Sequence, residues 1–145
     1  MARAPEITFR CPACQGEAVC ALDGRGACRA CGAQPTLGVP TSWAESRTVD
    51  GCPACGGALL YVQRDFNQKA GLAVVVLGAV LAPFTAYLSL VAAALIDAGL
   101  YLLLPEITIC YRCHAHFRGF RRNPAHHAFD LHLAEQYDVH RPPEG

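Results

Sequence analysis

The sequence has no excess of charge of either sign. Its 145 residues carry 12 Lys+Arg against 12 Asp+Glu, which excludes a strongly basic nucleic-acid binder and an acidic solvating tail. It has no phosphate-binding glycine loop, no nucleophile elbow and no H-E-x-x-H motif, so nothing points to phosphoryl transfer, serine hydrolysis or a zinc peptidase. Residues 1–10 hold no apolar run of the kind a secretory signal needs. No two of the six histidines stand four apart, the spacing that would aim both rings from one helix face at one ion. Charge is scarcest in one block. Residues 70–104 include 28 apolar residues out of 35, and Asp97 is the single charged one.

What the chain has in abundance is cysteine, nine in all. Eight form four C-x2-C pairs, Cys11/Cys14, Cys28/Cys31, Cys52/Cys55 and Cys110/Cys113, and Cys20 is left over. A disulfide framework has no reason to repeat the same two-residue gap, whereas a tetrahedral metal site does. Two thiolates three positions apart on a tight turn both reach one ion, and two such turns complete a closed structural shell. Zinc needs thiolate, so the pairs must stay reduced, which points to the cytosol. Iron fits a tetrathiolate shell as well. Pro12 and Pro53 preset their turns, and Gly32 and Gly56 follow the second cysteines, where a positive φ is needed. Cys110/Cys113 lacks both features and is the weakest match. Cys20 reads as a small buried hydrophobe.

The first two pairs, 13 residues apart, fit a compact zinc ribbon over residues 1–33. The other two are 54 residues apart. Strand patterns at 59–62, 106–109 and 116–120 flank them. They give a second, discontinuous ribbon made of residues 51–66 and 105–120. Residues 34–50, with Pro35, Gly38 and Pro40, read as a linker in which Trp43 packs on a neighbouring domain.

The second ribbon requires the apolar block to leave and return. Pro83 marks the turn, giving an entering helix over about 67–82 and a returning one over about 84–104. At 1.5 Å per residue these are about 24 and 31 Å long, which predicts a transmembrane hairpin over residues 67–104 in contact with the lipid bilayer. A single span over 70–96 is the alternative. Arg64 and Lys69 precede the block, and Arg112, Arg118, Arg121 and Arg122 follow it. Both termini are therefore expected in the cytoplasm. Asp97, beside the small residues Ala94, Ala98 and Gly99, suggests self-association into a homodimer.

Residues 121–145 read as a C-terminal helix and tail. Asn123 caps a helix over 124–137, and Phe129, Leu133 and Tyr137 form its docking face. The histidines from His114 to His140 read as a solvated polar face; a further metal site at His114/His116 or His127/Asp130 is the alternative.

The four cysteine pairs resemble the zinc-ribbon and rubredoxin-like fold group. Phe117-Arg118-Gly119-Phe120, with Asn123-Pro124 through Phe129-Asp130-Leu131-His132, resembles the tail of small bacterial membrane proteins with zinc-ribbon ends. The resemblance implies a small metal-bound β fold with an inserted helical hairpin in the bacterial inner membrane. The function expected is a non-enzymatic interaction module with an unknown protein partner. Nucleic-acid binding is the less favoured alternative, and a rubredoxin-like iron protein with a redox role is the third.

Overall fold

Short segments of alternating polar and apolar residues occupy both ends of the chain and form strands that pair across more than a hundred residues of sequence. The computed structural model describes residues 4–139. The chain divides into two units, Met1–Gln63 with Glu106–Gly145, and Arg64–Pro105. The strands are β1 (Glu6–Arg10), β2 (Glu17–Cys20), β3 (Gly26–Cys28), β4 (Leu60–Arg64), β5 (Glu106–Cys110), β6 (His116–Arg118) and β7 (His127–Ala128). They make one seven-stranded sheet in the order β3-β2-β1-β6-β5-β4-β7. The segments expected as two ribbons are thus continuous. β1 pairs antiparallel with β6, with Glu6 opposite Arg118, Ile7 opposite Phe117 and Thr8 opposite His116.

The period-two alternation of strands places a different core on each face. One holds Ile7, Phe9, Ala18, Phe117 and Leu60, with Trp43 and Val49. Trp43, on α1 (Ser42–Ser46), is 2% exposed and meets Phe117 and Phe120 edge-on at 6.0 and 5.6 Å between ring centroids. The segment read as a linker is thereby packed into the core. The opposite face holds Tyr61, Ile107, Ile109 and Tyr111, with Leu133, Ala134 and Tyr137 of α4 (Leu131–Val139) against it.

That last helix begins later than the sequence suggests. Asn123 caps a turn instead, accepting from Ala125 N at 3.0 Å while its Nδ2 donates to Val49 O and Asp50 Oδ1. His126 is buried, with Nε2 2.7 Å from Val49 O. These contacts hold 123–126 out of a helix, β7 follows, and Asp130 Oδ1 takes the N–H of His132 as the helix starts. Residues 140–145 of the expected tail, including His140, lie outside the described residues.

The second unit contains α2 (Gln68–Leu81), a 3-10 turn (Ala82–Phe84) and α3 (Leu88–Leu103). Asn67 Oδ1 caps α2 by accepting from Lys69 N at 3.1 Å. The turn is wider than Pro83 alone implies. Ala86 and Tyr87 have φ of 47° and 66°, so α3 starts four residues after Phe84. The helices have 14 and 16 residues, about 21 and 24 Å, against a hydrocarbon core of about 30 Å. Among the described residues no helix is long and apolar enough to cross a membrane. The expected transmembrane hairpin is therefore corrected to a short helical hairpin. The single span over 70–96 fails as well, because the turn interrupts it. The expectation of an integral inner-membrane protein falls with them.

The helices cross closely where side chains are smallest. Ser89 Oγ donates to Gly78 O at 2.9 Å, and a Cβ on Gly78 would lie 2.9 Å from Ala93 Cβ. Gly99 has nothing within 4 Å of the same construction. The two substitutions should therefore act with opposite sign. Gly78→Ala should lower the denaturant midpoint of the helical circular dichroism, by about 1–3 kcal/mol of overpacking, whereas Gly99→Ala should raise it by up to about 1 kcal/mol through helix propensity.

Candidate metal centres

Each C-x2-C pair folds into the same turn, and the repetition is visible in the backbone. The N–H of the first cysteine donates to the carbonyl five residues on: Cys11 to Gly16 (2.8 Å), Cys28 to Ala33 (2.8 Å), Cys52 to Gly57 (2.8 Å) and Cys110 to Ala115 (3.1 Å). The carbonyl of that cysteine accepts from the N–H four residues on, at Gln15, Gly32, Gly56 and His114. Those four residues are left-handed, with φ of 60°, 72°, 71° and 55°. Two of them are the glycines that the sequence pattern singles out. Gln15 and His114 do the same work without being glycine, and aligning the four motifs on their first cysteine is the signal that finds them. Cys110/Cys113 is therefore a turn of the same kind as the other three.

The turns converge in pairs. Cys11, Cys14, Cys28 and Cys31 bring their sulfurs within 4.8 Å of one another, and so do Cys52, Cys55, Cys110 and Cys113. The first pairing joins the ends of β1 and β3 across the hairpins; the second joins turns on either side of the Arg64–Pro105 insertion. A tetrahedral shell with metal–sulfur bonds near 2.3 Å places sulfurs about 3.8 Å apart. Across the turns the sulfurs stand 3.8 Å apart for Cys11–Cys31, 3.5 Å for Cys14–Cys28, 3.4 Å for Cys52–Cys113 and 3.6 Å for Cys55–Cys110. These are far outside the 2.03–2.05 Å of a disulfide, and all eight cysteines are free. The donor set fits a thiophilic divalent ion in each cluster.

Crowding splits the protonation of the thiols. Sulfur hydrogen bonding to Cys113, and then to Cys52, holds Cys110 far below the ordinary thiol range, and the same contact with Cys110 pushes Cys113 up. The N–H of Cys31 is the first cause lowering Cys28, to about 6. Cys14 accepts from Gly16 N at 3.4 Å, which favours its thiolate, yet the sulfurs of Cys31 and Cys28 push it up to about 12. A divalent ion would replace these shared protons with its two positive charges.

Cys20 belongs to neither cluster. It is 1% exposed, its Sγ donates to Ala21 O at 3.1 Å, and burial, then Asp23, raises its thiol. Among the described residues, His114/His116 and His127/Asp130 form no further cluster of three or more ligands.

Two predictions follow from this geometry. Protons held on raised thiols such as Cys14 must leave when a metal enters, so binding weakens as pH falls and strengthens as it rises. Chelator competition across pH 6–8 should show affinity rising about tenfold per pH unit for each proton displaced. At the left-handed positions, Gly56→Ala should weaken metal retention at the second cluster about fivefold, the equivalent of about 1 kcal/mol of backbone strain. His114→Gly should strengthen it, and the same competition assay reads both.

No protein-family model, curated protein or solved structure matches the chain, and the sites stand on their own chemistry as two four-cysteine clusters, each able to hold a metal ion, in a zinc-ribbon-like β module.

Proposed function

We propose that the chain is a non-enzymatic interaction module built on two structural zinc ions. The observation that carries this reading is the closure of both sites: four sulfurs in each, within 4.8 Å of one another, fill a tetrahedral shell and leave no position for substrate or water. Zinc would supply folding free energy to a sheet whose strands are three to five residues long over most of its width.

A protein partner is favoured over nucleic acid by how the basic residues are placed. Arg10 stands opposite Glu17 and Arg118 opposite Glu6 in strand register, so acid accompanies base on that face and no basic stripe forms. The helical hairpin offers the apolar contact surface. Its Leu72, Leu95 and Leu103 are 65, 69 and 85% exposed, and large exposed apolar side chains mark interaction sites where they gather. A second copy of the chain is the simplest partner, because the small residues Ala94 and Ala98 beside Asp97 let helices approach closely.

Metal analysis of the purified chain, with a thiol count in denaturant, tests the zinc reading. Two zinc ions and nine thiols per chain, with no visible absorption, are expected. A coloured protein holding iron would replace zinc in the account, and one ion per chain with Cys110→Ser leaving it unchanged would remove the second site. Light scattering should show a dimer that Asp97→Leu weakens; a monomer would remove self-association.

A further inference from the structure

The two clusters are alike in ligand type and unlike in access. In the first, Cys11 and Cys28 are buried at 0 and 4% exposure, but Cys14 and Cys31 are exposed. In the second, Cys52 and Cys110 are buried and the outer pair, Cys55 and Cys113, is half-buried. The groups overlying each cluster differ in size. Cys14 Sγ has the backbone of Gly16 beside it, and the nearest side chain at that point is the methyl of Ala30. Over the second cluster lies Arg112, whose Cβ borders the space beside Gly57 and whose Nη1 donates to Cys55 O at 3.3 Å. The anchoring of the turns differs as well. Cys28 ends β3, a three-residue strand at the edge of the sheet, and Cys31 follows it. Cys110 ends β5, a five-residue strand inside it.

We propose that the first cluster is a peroxide-reactive, metal-releasing site and that the second is the permanent structural one. This rests on the reading that both clusters hold zinc. Reactivity of a thiolate follows its access and its thiolate character; metal ligation makes all eight sulfurs thiolate-like, so access decides between the clusters. The thiolate of Cys14 or Cys31 attacks one oxygen of hydrogen peroxide, the O–O bond breaks, and hydroxide leaves as the sulfenic acid forms. A second thiolate of the cluster then attacks that sulfur. For Cys14, Cys28 stands within reach at 3.5 Å, and for Cys31, Cys11 does at 3.8 Å. An S–S bond forms and a second hydroxide leaves. In sum, two thiolates, one peroxide and two protons give one disulfide and two waters. Cys11, Cys14, Cys28 and Cys31 would then offer a zinc ion two ligands in place of four, and the cluster would release it. The gap between the sulfurs must close by about 1.5 Å for Cys14 and Cys28, and by about 1.8 Å for Cys31 and Cys11, to reach disulfide length. The cross-strand hydrogen bonds of β1 with β6, and the whole second cluster, are outside the reaction, so the release is expected to leave the rest of the sheet joined.

The test uses the full chain loaded with zinc, a chromophoric chelator and hydrogen peroxide. The chelator should report two phases of one ion each, the first at least about tenfold faster. Mass mapping at the end of the first phase should find the disulfide among Cys11, Cys14, Cys28 and Cys31, with Cys52, Cys55, Cys110 and Cys113 still reduced. Dithiothreitol and zinc should restore the first ion. Release of both ions in one phase, or a first disulfide in the second cluster, would overturn the proposal. A starting content below two ions per chain would instead overturn the two-zinc reading on which it stands, and would be seen before any peroxide is added. Cys20→Ser serves as the control for the remaining thiol and should leave both phases unchanged.

Discussion

The convergence of four sulfurs on one point, made twice, is the constraint on which the rest of the sheet unit depends. Cys11, Cys28, Cys52 and Cys110 are counted among the buried core, in the same cluster as Ile7, Trp43 and Phe117. Metal sites and hydrophobic core are therefore one structure. The core around them is built from short strands and loop residues, a composition that buries little apolar surface for its length. The free energy of filling two tetrathiolate shells is of the size that folds small metal domains outright. The β1–β6 ladder then makes the two sites parts of one sheet.

The second cluster also constrains the insertion. Its two turns lie on either side of Arg64–Pro105, and bringing Cys52/Cys55 to Cys110/Cys113 obliges the intervening chain to return close to where it left. A helical hairpin meets that demand with local hydrogen bonds. Within it, Arg64 Nη1 donates at 2.9 Å to the carbonyls of Tyr101 and Leu102, two of the acceptors that the end of α3 leaves without helical partners. The guanidinium lies 5.0 Å from the centre of the Tyr101 ring, a cation–π contact that adds to the closure. One charged side chain thus satisfies the end of the returning helix from a residue that precedes the departing one.

Legibility in the sequence follows the range of the interaction. The ligand pairs could be read because tetrahedral coordination writes itself into a local spacing, and the grouping of Cys52/Cys55 with Cys110/Cys113 could be argued from the strand patterns around them. The β1–β6 pairing left no such mark, since strand partners separated by a hundred residues share no spacing rule. It is the reason that segments resembling two ribbons form one sheet. Asn123 carried a correct local signal, a side chain that caps, but Val49, Asp50 and His126 drew it into a turn, and Asp130 opened the helix instead. In the hairpin, Pro83 marked the break, while the left-handed pair Ala86 and Tyr87 widened it; those extra residues shorten the returning helix below a membrane's thickness, and the entering one is short without them. Gln15 and His114 were missed because side-chain identity does not advertise a positive φ imposed by a metal-binding turn.

Trp43 offers the most direct test of the claim that metal holds this fold together. It is the chain's single tryptophan and is 2% exposed in the core that contains the cluster cysteines. Its fluorescence therefore reports that core without added label. Removing the metal from the purified chain with a strong chelator under reducing conditions should shift its emission to longer wavelength, as the indole enters water, and returning zinc should reverse the shift. Emission that stays unchanged after complete metal removal would contradict the account, because the core would then stand without the ions.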